Sequence, residues 1–271
     1  MTVLIGHPSG TPFAFNAALS HCEAGRLGAF CIPWMPSLLA LRLLASIKPL
    51  VPLVERLRRR NFPPLPRQLL VQGRAAEWRR LLLRAVGCGD ERLVVEANQW
   101  VMRTMARECR RPGITAVHAY EDCSLWQFQE ARRLGKPCIY DLPIGYYAAW
   151  QEVQRKLASE YVDWVRPGAL LGRADLRTKQ LELSLADVIL VPSRFVADTV
   201  RQFHPDAPVR IAPYGVDPVL SEEPPQRQER ITFVFVGQCS IRKGVPLLLK
   251  AWRAADVAGA THSPMARSQS F

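Results

Sequence analysis

Hydrophobic positions along the chain fall into short consecutive runs, which alternate with longer stretches of helical periodicity. A Gly, Pro or Ser turn follows most of the short runs. This alternation is typical of βαβ units, and consecutive apolar side chains indicate strands buried on both faces of a parallel sheet. The predicted strands are Val3–Ile5, Ala29–Ile32, Thr115–His118, Cys138–Tyr140, Val188–Val191, Val209–Ala212 and Thr232–Val236.

Helical patterns fill the intervals between these runs, and Ser193 stands where a helix N-cap belongs. The fold class predicted is therefore α/β: a Rossmann-like, doubly wound parallel sheet, followed by the first strand-helix unit of a second such domain. The predicted helices cover 37–59, 76–85, 91–110, 125–134, a long stretch from about 145 to 184 with a break near Pro167, and 193–203.

Domain boundaries are expected where this alternation stops. Residues 218–230 are rich in proline and charge and have little to bury, which indicates a linker after an N-terminal domain of residues 1–217. Residues 231–257 hold one strand, a glycine turn and a helix, the start of a second domain. Residues 258–271 show no strand and no apolar period, so we predict a disordered tail and a truncated second domain.

Composition excludes several classes of protein. Apolar residues make up 48% of the chain and charged residues 22%, which argues against a disordered or fibrous protein. No apolar run is long enough to span a membrane and the start lacks a basic signal-peptide region, so we expect a cytoplasmic protein. The seven cysteines include no Cys-x-x-Cys pair and no His-x-x-x-His spacing occurs, which argues against a disulfide framework and a metal site.

The charge is strongly basic, at +12, and 30 of the 36 cations are arginine. An acidic partner is therefore expected. The leucine-rich stretch Ser37–Arg60 ends in an arginine cluster. It fits either a buried helix, which we favour, or a helix lying on anionic lipid at the inner membrane face. A non-catalytic basic protein that binds anionic lipid or nucleic acid is the alternative function; aromatic residues do not interleave with the arginines, so nucleic acid is not expected as a partner.

The turn Gly237–Gly244 carries the clearest chemical signal. It joins a strand to a helix, and it places Arg242 and Lys243 beside the unpaired N–H groups of a helix start. This arrangement suits a phosphate or diphosphate, although a solvated basic turn is an equal alternative. It is not a Walker P-loop, because Arg242 stands at the required glycine and Gly244 at the required Ser or Thr.

The sequence of this turn, VFVGQCSIRKGVPLLLKAW, resembles the start of the C-terminal domain in GT-B fold retaining glycosyltransferases of family 4. The preceding segments ADVILVPSRFVADTV and VRIAPYGVDP resemble the last N-domain strand and helix of that family and its pre-hinge motif. Together these similarities cover Ala186–Trp252. Earlier residues are similar through HPSGTPF, TAVHAYED and CIYDLPIGY.

The resemblance implies transfer of a sugar from a UDP- or GDP-sugar to a glycan or lipid acceptor, without a required metal or other cofactor. It implies that Gly237 and Gln238 contact the donor and that Lys243 stabilises the departing diphosphate. Gln238 stands where the family has arginine, so either Arg242 substitutes for that charge or diphosphate binding is weakened. The family's Glu-x7-Glu donor element has no counterpart before the chain ends, so we expect this chain to be weakly active or inactive.

On the N-domain side, the resemblance points to the loops that follow the first strand and the strand 115–118. Gly10 is expected to let the backbone approach the substrates, although Ser9 and Gly10 are equally explained as a simple turn. His118 and Tyr120 are candidates for direct contact with the substrates. Glu121 and Asp122 could bind acceptor hydroxyls, the alternative being solvent-facing carboxylates of a turn.

Overall fold

In a computed structural model of the chain, seven parallel strands form one sheet. The structure describes residues 1–58, 61–62, 64–85, 87, 90–164, 173–215, 232–237, 239, 241–255 and 261–266. The chain divides into two structural units: Met1–Tyr146 with Arg173–Tyr214, and Tyr147–Gly172 with Gly215–Phe271. The strands of the first unit are β1 Val3–Gly6, β2 Leu27–Ile32, β3 Leu70–Gln72, β4 Ala116–Tyr120, β5 Cys138–Asp141, β6 Val188–Val191 and β7 Val209–Ile211.

The strand order is β3-β2-β1-β4-β5-β6-β7, so the direction of winding reverses between β1 and β4. Those two strands pair in parallel, with Ile5 opposite His118. The fold is thus α/β with a Rossmann-like, doubly wound parallel sheet, as predicted. In such sheets ligands bind beyond the carboxyl ends of the strands, at the point where the order reverses.

The helices confirm most of the predicted pattern. Their bounds are α1 Pro12–Glu23, α2 Leu38–Ala45, α3 Val51–Arg58, α4 Arg74–Ala85, α5 Asp90–Glu108, α6 Leu125–Arg133, α7 Tyr147–Glu160, α8 Arg173–Ser184, α9 Arg194–Arg201 and α10 Val245–Ala255. The Ser193 hydroxyl accepts a hydrogen bond from the backbone N–H of Val196, the predicted N-cap. The helical pattern over 37–59 contains prolines at 49 and 52, which are expected to break a helix, and the structure has two helices there, separated by a 3₁₀ turn, Lys48–Leu50.

Two elements of the first unit escaped the sequence analysis. Helix α1 begins at Pro12, a favourable first helical residue, but the predicted pattern contained only a glycine turn there. Strand β3 has three residues, all only partly buried, which is too short for a recognisable apolar run. It pairs with β2 at the edge of the sheet.

The second unit contains α7, α10 and two strands, β8 Thr232–Gly237 and β9 Thr261–Ala266, which pair in parallel. The expectation of no strand beyond residue 258 is therefore wrong for Thr261–Ala266. Pairing with the edge of β8 uses backbone hydrogen bonds, so an extended segment can form a strand there without an apolar side-chain pattern. The predicted linker 218–230 lies outside the described residues, and the predicted domain boundaries stay predictions.

Candidate functional site

Gly10 shapes the loop between β1 and α1. Its φ is +61°, a left-handed conformation that favours glycine. A Cβ atom built on Gly10 would lie 2.8 Å from Cδ1 of Ile32 and 3.1 Å from Cζ of Phe15. Both of those side chains are buried in the core. Glycine is therefore required by conformation and by space, while its predicted contact with substrates stays a prediction.

His7 lies directly after β1, in the same loop. Its side chain is buried, and its Nδ1 accepts a hydrogen bond from the backbone N–H of Ser9 at 3.1 Å. Burial lowers the pKa of His7 to about 4, so the imidazole is neutral near pH 7. The sequence analysis singled out this loop but not His7. The available signal was its position at the carboxyl end of a buried strand, where open sheets bind ligands.

His118 lies on β4 beside β1, and its buried side chain lies between the polar side chains of His21 and Asp141. Its Nδ1 lies 3.0 Å from Nε2 of His21, and its Nε2 lies 3.5 Å from Oδ2 of Asp141. Although that carboxylate is close, Nε2 of His118 has no hydrogen-bond partner among the described residues. The hydroxyl of Tyr214 donates to Oδ1 of Asp141 at 3.2 Å. Burial, and next the neighbouring His118, lower the pKa of His21 to about 4.

Tyr120 follows His118 on the same strand and is surrounded by aromatic rings. Its ring stacks on that of His118 with the ring centroids 5.5 Å apart. The centroids of the His7 ring, perpendicular to it, and of the tilted Phe13 ring lie 5.0 Å and 5.4 Å away. The Phe13 ring in turn stacks on Tyr214 at 5.5 Å. We call these five side chains, His7, Phe13, His118, Tyr120 and Tyr214, the aromatic cluster.

The hydroxyl of Tyr120 is buried and has no hydrogen-bond partner in the described part of the chain. Burial raises its pKa well above the ordinary value, so it stays protonated and is a poor base. Buried polar groups nearly always have partners, and an exception calls for an explanation such as an absent ligand or water. The hydroxyl therefore marks a position where a polar group of a ligand would fit.

Glu121 and Asp122 continue this strand into the β4–α6 loop, and both pair with Lys179 of helix α8. The Nζ atom of Lys179 lies 2.8 Å from Oε1 of Glu121 and 2.5 Å from Oδ1 of Asp122. Glu121 is buried, whereas Asp122 is half exposed. Both candidate acceptor ligands are thus already paired with Lys179, and Asp122 is the more exposed of the two.

Glu182 holds the backbone of the same loop. Its Oε2 accepts the N–H of Asp122 at 3.0 Å, and its Oε1 accepts the N–H of Ser124 at 2.9 Å. Asp122 has a φ of +69°, and these bonds support that strained conformation. The sequence analysis missed both Lys179 and Glu182, because they lie on a helix about sixty residues beyond the loop in the chain.

The glycine turn belongs to the second unit. Gly237 ends β8, a 3₁₀ turn covers Ile241–Lys243, and α10 begins at Val245. Gly244 has a φ of +70°, which lets the chain leave the 3₁₀ turn and enter the helix. The Lys243 side chain is exposed. Gln238 and the side chain of Arg242 lie outside the described residues, so the donor contacts expected at this turn stay predictions.

Among the described residues, no group of three or more His, Cys, Asp or Glu side chains is arranged to hold a metal ion. No helix in the described ranges combines the length and apolar character needed to cross a bilayer.

Neither a protein-family profile nor a curated protein sequence matches the chain. Several solved structures do match. Phytolacca americana UGT2, complexed with UDP-2fluoro-glucose and pterostilbene, is 13% identical with a TM-score of 0.44, over 88% of this chain and 60% of that one. A Polygonum tinctorium UDP-glucosyltransferase, capable of glucosylating indoxyl, is 15% identical with a TM-score of 0.41, over 97% and 71%. Spinosyn forosaminyltransferase SpnP is 16% identical with a TM-score of 0.40, over 100% and 67%. These scores are too low to carry an argument about function, and this chain spans only part of each of those proteins.

Proposed function

We propose that the chain is the acceptor-side part of a glycosyltransferase that moves a sugar from a UDP- or GDP-sugar to a glycan or lipid acceptor. The observation that carries the proposal is the pair of buried polar atoms without hydrogen-bond partners in the described structure, the Tyr120 hydroxyl and Nε2 of His118. Both belong to β4, beside β1, where the strand order reverses and open α/β sheets bind ligands. The similarity of Ala186–Trp252 to retaining family-4 enzymes supports the finer assignment.

The aromatic cluster suits a ring-shaped acceptor. Flat aromatic faces bury the apolar face of a sugar ring, while a few fixed polar atoms select its hydroxyls. Tyr120 is protonated and His7 is neutral near pH 7, so in our proposal they orient an acceptor hydroxyl by hydrogen bonding. Asp122 pairs with Lys179 but is half exposed, so we assign it, rather than the buried Glu121, to a further acceptor hydroxyl.

On the donor side, we assign Lys243 to the diphosphate. A cation beside a helix start is well placed to stabilise the negative charge that builds on a leaving diphosphate as the glycosidic bond breaks. Arg242 would supply the second charge that the uncharged Gln238 cannot. Metal assistance is not required in this proposal, because these cations neutralise the diphosphate.

The second unit supports the proposal that only part of a donor domain is present. Strand β8 has exposed apolar side chains at Phe233, Val234 and Val236, the last of them 80% exposed. Strands of a doubly wound parallel sheet are normally covered on both faces. In this unit the ring of Trp252, 5.3 Å from that of Phe233, gives partial cover. We therefore expect weak donor binding and little or no transfer by this chain alone.

The test is a titration of the chain with UDP- and GDP-sugars, followed by ligand-detected NMR. We expect weak binding, about millimolar or roughly −4 kcal/mol, which Lys243→Ala abolishes. Lys250→Ala is the matched control, because Lys250 is an exposed lysine of the same helix region. Equal binding by the parent and the Lys243→Ala variant would refute the donor assignment. No binding of any nucleotide sugar would favour a non-catalytic basic protein instead.

A further inference from the structure

The hairpin formed by α2 and α3 carries apolar side chains on two opposite sides. Its inner side is buried: Leu41, Val54 and Leu57 form a cluster with Trp34. Its outer side is exposed, with exposed fractions between 42% and 67%. We call this side the outer face; its apolar members are Leu38, Leu39, Leu43, Ile47 and Val51.

The outer face gathers large exposed side chains on one hairpin. Leu39 and Leu43 are four residues apart in α2, so they lie one above the other on the same side of the helix. Ile47 lies in the extended turn that follows α2, and Val51 begins α3. Single exposed apolar residues are common, but five of them on one short hairpin indicate an interaction surface. A buried helix, the interpretation favoured from sequence, accounts for the inner side only.

Cations accompany the apolar strip. Arg42 is exposed and lies one turn from both Leu38 and Leu39, and Lys48 is exposed in the turn that follows. The described residues provide neither cation with a carboxylate partner. Glu55 is the one acidic residue in the sequence from 38 to 58, and it pairs with Arg58 at 3.0 Å. The charge of the outer face is therefore positive and unneutralised.

We propose that the outer face docks on the surface of an anionic lipid bilayer, whether or not the chain transfers a sugar. Leu38, Leu39 and Leu43 would enter the boundary between headgroups and acyl chains, as on interfacial amphipathic helices. Arg42 and Lys48 would extend their charged ends to lipid phosphates while their apolar stems cover the leucines. With eight residues, α2 is about 12 Å long and lies on the bilayer rather than crossing it.

Charge favours lipid over a second copy of the chain as the occupant. In a two-fold symmetric dimer the same face contacts itself, so the cations of both copies, Arg42 and Lys48, would enter one interface to which neither copy's outer face brings an unpaired carboxylate among the described residues. An anionic leaflet instead attracts each cation, which raises binding about fivefold per basic residue.

The experiment is co-sedimentation of the full chain with vesicles of phosphatidylcholine mixed with phosphatidylglycerol, and with vesicles of phosphatidylcholine alone. We expect binding to the anionic vesicles that weakens with added salt. The double variant Leu39→Ser, Leu43→Ser should bind at least about tenfold more weakly, because its apolar contact is lost. The double variant Arg42→Gln, Lys48→Gln should lose the preference for anionic lipid.

Phe195→Ser is the matched control. Phe195 is a large exposed apolar residue on α9, which joins β6 to β7, the strand at the opposite edge of the sheet from β3. The Phe195→Ser variant should bind vesicles as the parent does, and circular dichroism should show that every variant is folded. The proposal fails if the parent does not bind anionic vesicles or if the leucine variant binds them as tightly as the parent. It also fails if light scattering shows a parent dimer that the leucine variant loses, since a second copy would then cover this face.

Discussion

The Nζ atom of Lys179 lies 2.8 Å from Oε1 of Glu121, and both side chains are almost fully buried. Together with Glu182, three residues further along α8, Lys179 attaches that helix to the loop after β4. Burial opposes the charge of Lys179, but Glu121 and Asp122 outweigh it and raise its pKa above the ordinary value. The lysine is therefore charged and holds the loop next to the aromatic cluster.

Replacing Lys179 by Met should leave Glu121 buried without its counter-ion. Removing one partner of a buried ion pair typically costs about 3 to 5 kcal/mol, and we expect that loss in the free energy of unfolding measured by urea titration. Arg132→Met is the control, because its pair with Asp187 is largely exposed and should contribute less than about 1 kcal/mol. Similar losses in both variants would show that the buried pair contributes no more to the free energy of unfolding than the exposed pair does. Adding Glu121→Gln to Lys179→Met should restore part of the loss.

Glu182 should make stability depend on pH. Burial, the largest cause, raises its pKa from 4.5 to about 7. Between those pH values the folded protein keeps a proton that the unfolded chain releases, so the contribution of Glu182 to stability falls as pH rises. The full fall is about 3 kcal/mol, at 1.36 kcal/mol per pKa unit.

The measurement is the free energy of unfolding of the parent and of Glu182→Gln across this pH range. Relative to that of the parent, the free energy of unfolding of Glu182→Gln should increase as pH rises from 4.5 to 7. His7, with a pKa near 4, gives a slope of the opposite sign, but it is present in both proteins and cancels in the difference. A pH-independent difference for Glu182→Gln would refute the raised pKa.

How far the sequence predicts the structure depends on the range of the interactions involved. Strands such as Val188–Val191 were predictable because burial on both faces leaves a local run of apolar residues. The carboxyl ends of β1 and β4 could be expected at one edge of the sheet because its strands are parallel. The partnership of Lys179 with Glu121 was not, since it depends on how α8 packs against the sheet. For Ser37–Arg60 the sequence left a buried helix and a lipid-facing helix open, because buried and exposed leucines of a hairpin look the same in a sequence.

Gly10→Ala should destabilise the first unit through two separate effects. The left-handed conformation costs a non-glycine residue about 1 to 2 kcal/mol, and crowding against Ile32 and Phe15 adds about 1 to 3 kcal/mol. Gly25→Ala separates them: Gly25 has nearly the same φ, +65°, but nothing lies within 4 Å of an added Cβ. Thermal unfolding should show the larger loss at Gly10. Equal losses would mean that only the backbone conformation matters.

Tyr120→Phe separates stability from ligand binding at the candidate site. The buried hydroxyl has no partner among the described residues, and an unsatisfied buried polar group costs about 1 to 3 kcal/mol. Removing it should therefore leave the free energy of unfolding unchanged or raise it by about 1 kcal/mol. Acceptor binding, followed by NMR with a panel of saccharides and glycolipid headgroups, should weaken because one hydrogen bond to the ligand is lost.

Tyr140→Phe is the comparison that gives this result its meaning. Tyr140 is equally buried on the neighbouring strand β5, but its hydroxyl lies 3.4 Å from Oε2 of Glu182. Its loss should lower stability by about 1 kcal/mol and leave acceptor binding intact. If the Tyr120 hydroxyl binds a ligand, the two substitutions should therefore have opposite effects: Tyr120→Phe weakens acceptor binding without loss of stability, and Tyr140→Phe lowers stability without loss of binding. If Tyr120→Phe instead destabilises the protein and binds acceptors normally, the hydroxyl has a structural role and the acceptor site lies elsewhere.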